Sequence, residues 1–199
     1  MKSDHRSLVL EASRGDARAA DSLFERHMPG LLAFVRARAG ARLREREDTL
    51  DLVQSACREV LNDLPSHGYR DEAMFKHWLF LAAERKILDK ARYHGREKRA
   101  NAGRHTLSAV EADLLGRGYV AFDTPSRAAI AREELALLED AMQRLTDEHR
   151  EVILFSRIIG LSHAEIAEMT GKSEVAVRSL LHRALARLTI EMGGPSGTT

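Results

Sequence analysis

A chain of 199 residues has room for one domain or two small ones, and a 44% hydrophobic content is enough for a packed core. The 31 basic and 30 acidic residues leave a net charge of +1, which by itself announces no particular partner. The lone cysteine, Cys57, excludes an intramolecular disulfide and an all-cysteine zinc site. No run approaches the ~20 apolar residues that cross a bilayer, and no apolar signal core follows Met1 to Arg6, so a cytoplasmic protein without membrane insertion is expected.

Aromatics are scarce, at 5%, while Ala, Leu, Arg and Glu recur. Straight side chains of this kind lose little rotamer freedom in helices, and helical periods run through most of the chain. Leu8, Val9 and Ala12 share one face of a first helix ending at Gly15. Asp16 can cap a second, with Ala20, Leu23, Phe24 and His27 inward. Pro29 suits the first turn of a third, carrying Leu32, Phe34 and Val35 and closed by Gly40. A long helix follows from about Glu47 to Leu64, with Leu50, Val53, Cys57, Val60, Leu61 and Leu64 on it. Pro65 and Gly68 mark a break. Asp71 can cap the next helix, with Phe75, Trp78, Leu79, Ala82 and Leu88 inward.

From Ala100 to Ser126 the pattern fails amid Gly103, Gly116, Gly118 and Pro125, although Leu107 to Leu115 can make a short helical turn; this stretch reads as a linker. Residues 127–192 are helical again. Leu135, Leu138, Met142 and Leu145 form one face, and Thr146 can cap a helix that carries Val152, Ile153, Phe155 and Ile159 and ends at Gly160. Ser162 and Glu165 fit a capping box. Ser173 can cap a final helix with Val177, Leu181, Ala184 and Leu188 as its inner seam. The tail, residues 193–199, reads as disordered. The expected fold is all-α: two small helical domains joined by a flexible linker, the second containing a helix-turn-helix.

Charge is unevenly spread. Eight Lys/Arg face three Asp/Glu between Glu84 and His105, a local balance of +5, whereas Arg132 to Glu151 carries −4. Within residues 161–188, a short capped helix, the turn Thr170-Gly171-Lys172-Ser173 and a longer helix make a helix-turn-helix. Its second helix presents Arg178, Ser179, His182, Arg183 and Arg187 outward, as a helix that enters the DNA major groove must.

Catalytic patterns are weak. Gly171-Lys172-Ser173 mimics the end of a phosphate-binding loop, but Ile166 stands where the first glycine belongs, and a helix rather than a strand precedes it. His163-Ala164-Glu165 is not a HExxH motif. Cys57 on an apolar helix face reads as a small buried hydrophobe. No cofactor, no metal site and no enzymatic activity are expected. A helical hydrolase is the enzyme alternative, and a helix-turn-helix regulator acting without polymerase is the alternative among binding proteins.

The segments Leu145 to Ile153, Gly160 to Met169 and Val175 to Ala184 resemble the −35-reading domain of sigma-70 factors. The N-terminal segments Gly15-Asp16-Ala17-Arg18-Ala19-Ala20, Asp51-Leu52-Val53-Gln54 and Phe75-Lys76-His77-Trp78-Leu79, with Leu88-Asp89, are similar in order and spacing to the core-binding and −10-reading domain of the extracytoplasmic-function (ECF) group. The resemblance implies an RNA polymerase sigma factor that binds core enzyme through its beta-prime and beta subunits and directs it to −10 and −35 promoter DNA. An anti-sigma factor is a further partner the group commonly has. Residues 1–99 would bind core polymerase and melt the −10 element, 100–126 would link, and 127–192 would read the −35 element. By residue, the resemblance assigns core binding to Asp51, Leu52 and Gln54. It assigns −10 DNA to Trp78, Arg85, Lys86, Arg92, Tyr93 and Arg96, and −35 DNA to Arg178, Ser179, His182, Arg183 and Arg187. Three positions depart from the group's pattern. Ser55 replaces an acidic residue after Gln54, Arg85 replaces an asparagine, and Leu180 replaces a basic residue that would cost a phosphate contact.

Overall fold

A computed structural model describes residues 3–67, 71–96, 109–119 and 132–193, and among these residues the structure is helical with no strand. Among the described residues nine α-helices follow in order: α1 (Ser3–Ser13), α2 (Ala17–Arg44), α3 (Thr49–His67), α4 (Glu72–Arg96), α5 (Ala109–Tyr119), α6 (Arg132–Arg144), α7 (Asp147–Ile153), α8 (His163–Thr170) and α9 (Glu174–Glu191). Residues 194–199, including most of the expected tail, and much of 100–126 lie outside the described residues.

The capping residues act as their chemistry dictates. The Asp16 carboxylate accepts from the backbone N–H groups of Arg18 and Ala19, and that of Asp71 from Met74. Asp48 opens α3, its Oδ1 accepting from the Leu50 N–H at 2.7 Å. Each satisfies donors that a helix start leaves without an internal partner.

Two helix boundaries differ from the sequence expectation. Pro29 does not start a third helix but lies inside α2. Lacking an N–H, it makes no helical bond to Glu25. Burial of Leu23 on one side of it and of Leu31 and Leu32 on the other holds the helix together across that gap. Pro65 likewise lies in the last turn of α3. Gly40 does interrupt the regular helix, with φ 72° and ψ 164°. Beyond that bend, Arg44 reaches Glu139 of α6.

Helices α1 to α4 pack around Leu23, Leu31, Leu32, Phe34, Val53, Leu64, Phe75 and Leu79, all essentially inaccessible to solvent. Burying each such side chain contributes about 1.5–3 kcal/mol. Phe80 meets Phe34 edge to face, with centroids 5.2 Å apart. Leu88, expected inside, is 42% exposed, and Leu61 of α3 is 48% exposed. Helix α5, inside the stretch expected to link the domains, lies along α2 and buries Leu115 completely. Their backbones touch: a Cβ on Gly118 would stand 2.2 Å from the Pro29 carbonyl oxygen, so only glycine permits this approach.

The C-terminal half packs α6, α7 and α8 around α9. Thr146 caps α7, its hydroxyl accepting from the His149 N–H. After Ile153 the helix widens into a π turn, Leu154–Ile159. The Phe155 carbonyl there accepts from the N–H groups of both Gly160, in the left-handed region, and Leu161. Sequence periodicity does not distinguish such a turn from an α-helix. Arg150 of α7 donates to the carbonyl oxygens of Met142, Gln143 and Leu145, satisfying the end of α6.

The two halves share one continuous set of buried residues. Ile158 of the π turn reaches Gly30 and Phe80 of the N-terminal half. The Glu139 carboxylate on α6, 6% exposed, accepts from Arg36 and Arg44 of α2. Gln143 donates to the Ala37 carbonyl at 3.0 Å.

Candidate nucleic-acid interface

Helix α3 buries Leu52, Val53, Ala56 and Val60 on one side and exposes Asp51, Gln54, Arg58, Leu61 and Asn62 on the other. Asp51 and Gln54 share a face because they are three residues apart. Leu52, expected beside them in partner binding, is 3% exposed. It belongs to the core and supports the strip rather than forming it, because its position on the 3.6-residue turn points it at the core. Exposed Leu61 extends the same strip and was not among the expected contacts.

On α4 the basic residues are arranged in pairs. The Arg85 guanidinium lies over the Trp78 ring, 4.9 Å from its centroid, and donates to Glu59 at 2.7 Å. Lys86 pairs with the other Glu59 oxygen, also at 2.7 Å. Lys90 and His94 converge on Glu47 at 2.9 and 2.6 Å. Burial alone would raise the Glu47 carboxyl, but the hydrogen bonds from Lys90 and His94 outweigh it and hold the group below the usual carboxylate range. Arg92 pairs with Asp89 one turn back. Tyr93 is 56% exposed and meets His94 edge to face. Arg96 ends the helix, and its side chain lies outside the described residues. The basic stretch is thus a row of cations held by Glu59, Glu47 and Asp89, more neutral than a count of its charges suggests. Surface pairs of this kind contribute only about 0–1 kcal/mol each, so phosphates can displace the carboxylates.

The helix-turn-helix is built as its sequence predicts. The Ser162 hydroxyl accepts from the Glu165 N–H while the Glu165 carboxylate accepts from the Ser162 N–H at 2.7 Å. Those bonds from Ser162 hold the Glu165 carboxyl below its ordinary value. Gly171 takes the left-handed conformation after α8, and Ser173 caps α9. Val177, Leu181, Ala184 and Leu188 are buried as expected. Arg178, Ser179, His182 and Arg183 are exposed along the outer face. Arg187 pairs with Glu191 at 2.6 Å. Lys172 in the turn pairs with Glu148 at 2.8 Å, and that bond lowers the Glu148 pKa.

Leu180 is 6% exposed and faces Val152 and Ile166. It is a core residue, turned away from the outer face on which the sequence placed a missing phosphate contact. Val175, 69% exposed at the start of α9, is an apolar group on the outer surface that the sequence reading passed over.

Cys57 is half-buried, and burial pushes its thiol up to about 11, which fits a packing role. Among the described residues no cluster of three His, Cys, Asp or Glu could hold a metal ion, and no helix is long and apolar enough to cross a membrane.

Comparison with known proteins places both halves. A family model described as Sigma-70 region 2 matches residues 23–97, and one described as Sigma-70, region 4 matches residues 135–188. The chain is 31% identical to the ECF RNA polymerase sigma factor ShbA of Streptomyces griseus, over 92% of each protein. It is 30% identical to the RNA polymerase sigma factor NccH of Alcaligenes xylosoxydans, covering 92% of this chain and 91% of that one. It is 29% identical to the ECF sigma factor SigD of Mycobacterium tuberculosis, covering 94% and 82%. The solved structure of CnrH in complex with the cytosolic domain of CnrY has a similar fold, with TM-score 0.55 and 24% identity over 96% of this chain and 99% of that one.

Proposed function

Since the chain belongs to the ECF group of sigma-70 RNA polymerase sigma factors, a family that directs core polymerase to promoters, we propose how its residues divide that work. The observation that carries the reading is the separation of three exposed surfaces, on α3, α4 and α9, each backed by a buried seam of its own helix.

The strip of Asp51 and Gln54, extended by Leu61, docks on core polymerase. The α4 row of Arg85, Lys86, Arg92 and Tyr93, with Arg96 at its end, accepts the −10 element as separated strand. A single strand needs a basic track with flat rings on which bases stack, and Tyr93 offers one. Trp78 carries the Arg85 guanidinium and holds it at the surface. Arg178, Ser179, His182 and Arg183 read −35 base edges, Val175 offers an apolar group to a thymine methyl, and Arg187 contacts phosphate. The factor works without catalytic chemistry of its own, in the cytoplasm, with promoter DNA and core polymerase as partners. The CnrH–CnrY structure supports a regulatory anti-sigma partner by analogy.

The two halves must separate for this. Elements named −10 and −35 lie about 25 base pairs apart, roughly 85 Å at 3.4 Å per base pair. A compact chain of this length spans only about 40 Å. Helices α6 to α9 therefore leave α2 when both elements are read together.

The deciding experiment is promoter-specific transcription with purified core polymerase. Reconstituted holoenzyme should initiate on promoters carrying both elements, and core enzyme alone should not. DNA binding by the isolated chain with no gain in initiation would favour the polymerase-independent regulator instead.

A further inference from the structure

A cavity of about 320 Å3 opens where both halves meet α5. Its walls carry Arg26 of α2, Lys76 of α4 and Arg117 of α5, closed on one side by Ile158 of the π turn. Arg26 is engaged by Glu72 at 2.9 and 3.1 Å. Lys76 and Arg117 have no hydrogen-bond or ion-pair partner among the described residues. For Lys76 this is unusual, because the residue is half-buried and a buried ammonium normally has a counter-charge. Burial holds its pKa below that of an ordinary lysine, with Glu72 and Glu165 only partly offsetting this. Glu165 is itself committed to the Ser162 cap.

Of the three cations that line the cavity, Arg26 is matched by Glu72 behind the wall, which leaves Lys76 and Arg117. The contact of Gly118 with the Pro29 carbonyl holds the backbone beside Arg117 against α2, and from there the exposed Arg117 side chain lines the cavity. A planar guanidinium and a compact ammonium facing one polar cavity suit a tetrahedral oxyanion, which takes several donors at once.

We propose that this cavity binds a small phosphorylated molecule carrying two or more negative charges, held by Lys76 and Arg117. The volume admits a phosphate or diphosphate with a modest organic part. Because the walls come from α2, α4, α5 and the π turn, the bound anion ties the C-terminal half to the N-terminal half. The proposal goes beyond the promoter-directing reading and does not depend on it.

The test uses the full chain and inorganic pyrophosphate, at constant ionic strength, with sulfate as the matched control. Titration calorimetry should show saturable pyrophosphate binding with one site, and the melting temperature should rise with occupancy. Lys76→Gln and Arg117→Gln should each weaken pyrophosphate at least tenfold. Neither should lower the melting temperature of the free protein, because neither side chain has a hydrogen-bond or ion-pair partner among the described residues. Equal affinity in the wild type and both variants would overturn the site. So would the opposite pattern, in which binding of a short single-stranded oligonucleotide, and not of pyrophosphate, depends on these two residues; they would then belong to the DNA surface.

Discussion

The Arg36 guanidinium on α2 grips the Glu139 carboxylate on α6 at two points, Nε to Oε1 at 2.5 Å and Nη2 to Oε2 at 2.7 Å. Arg44 adds a third bond to Oε2 at 2.7 Å. Fork-to-fork pairs of this kind are the strongest class of charged hydrogen bond, and removing one member of a buried pair costs about 3 kcal/mol by leaving the other uncompensated. Glu139→Gln should therefore loosen the C-terminal half from the N-terminal half without unfolding either. Small-angle scattering should report a larger radius of gyration, with helical content by circular dichroism unchanged. An unchanged radius would mean that the remaining contacts, such as Ile158 against Gly30 and the Gln143 bond to Ala37, suffice to hold the halves together.

Asp51 and Gln54 are exposed and capable of an outward role, whereas Leu52 is not. The double variant Asp51→Arg with Gln54→Ala should lower core-polymerase affinity at least tenfold, about 1.4 kcal/mol, at unchanged thermal stability. Leu52→Ala should instead cost about 2–5 kcal/mol of folding stability. Anisotropy titrations of labelled factor with core enzyme, beside urea melts, separate the two effects. Wild-type affinity in the double variant would remove α3 from the interface.

On α9 the outer face allows two kinds of DNA contact. A base-edge contact by Arg178 or Arg183 would carry about 1–3 kcal/mol of discrimination, so Arg178→Ala or Arg183→Ala should flatten the ranking of −35 variants in transcription assays. Arg187→Ala should weaken all sequences alike and lower the salt slope by about one. Leu180→Arg should destabilise the domain rather than add a phosphate contact, because that side chain is buried. If both α9 arginine variants keep the wild-type ranking, the recognition face lies elsewhere.

His27 makes stability depend on pH. Burial depresses its pKa to about 4, and the Glu72 carboxylate 3.0 Å away offsets this only in part. The unfolded chain takes up the proton near pH 6.5 while the folded chain stays neutral, so stability falls as pH drops through that window. The loss should be about 2 kcal/mol between pH 7.5 and pH 5. His27→Phe keeps a ring beside Phe75 and removes the titration, so its urea stability should show that much less pH dependence. Carboxylates with lowered pKa values, such as Glu47 and Glu165, lose their contribution only below about pH 4.5. An identical slope in His27→Phe would place the sensitivity in another group.

Much of this was legible in the chain itself. Capping residues bond to groups two or three positions away, so Asp16, Asp71, Thr146, Ser162 and Ser173 could be read as helix starts from local spacing alone. The α9 seam follows from the 3.6-residue period. Motif order and spacing carried the family, because both halves repeat its pattern in sequence.

Tertiary packing decided the rest. Periodicity marks an apolar stripe but not how wide the partner helices make it; thus Leu52 and Leu180 were drawn into the core, while Leu61 and Leu88 stayed exposed. Proline in isolation disfavours a helix interior, yet burial on both sides of Pro29 keeps α2 intact. The sequence balance of +5 could not reveal that Glu59 and Glu47, on or beside a different helix, neutralise much of the α4 row. The bond between Arg36 and Glu139 spans 103 residues of sequence. Local propensity reaches only a turn or two along the chain, and which distant charge a side chain meets is settled only when the helices pack.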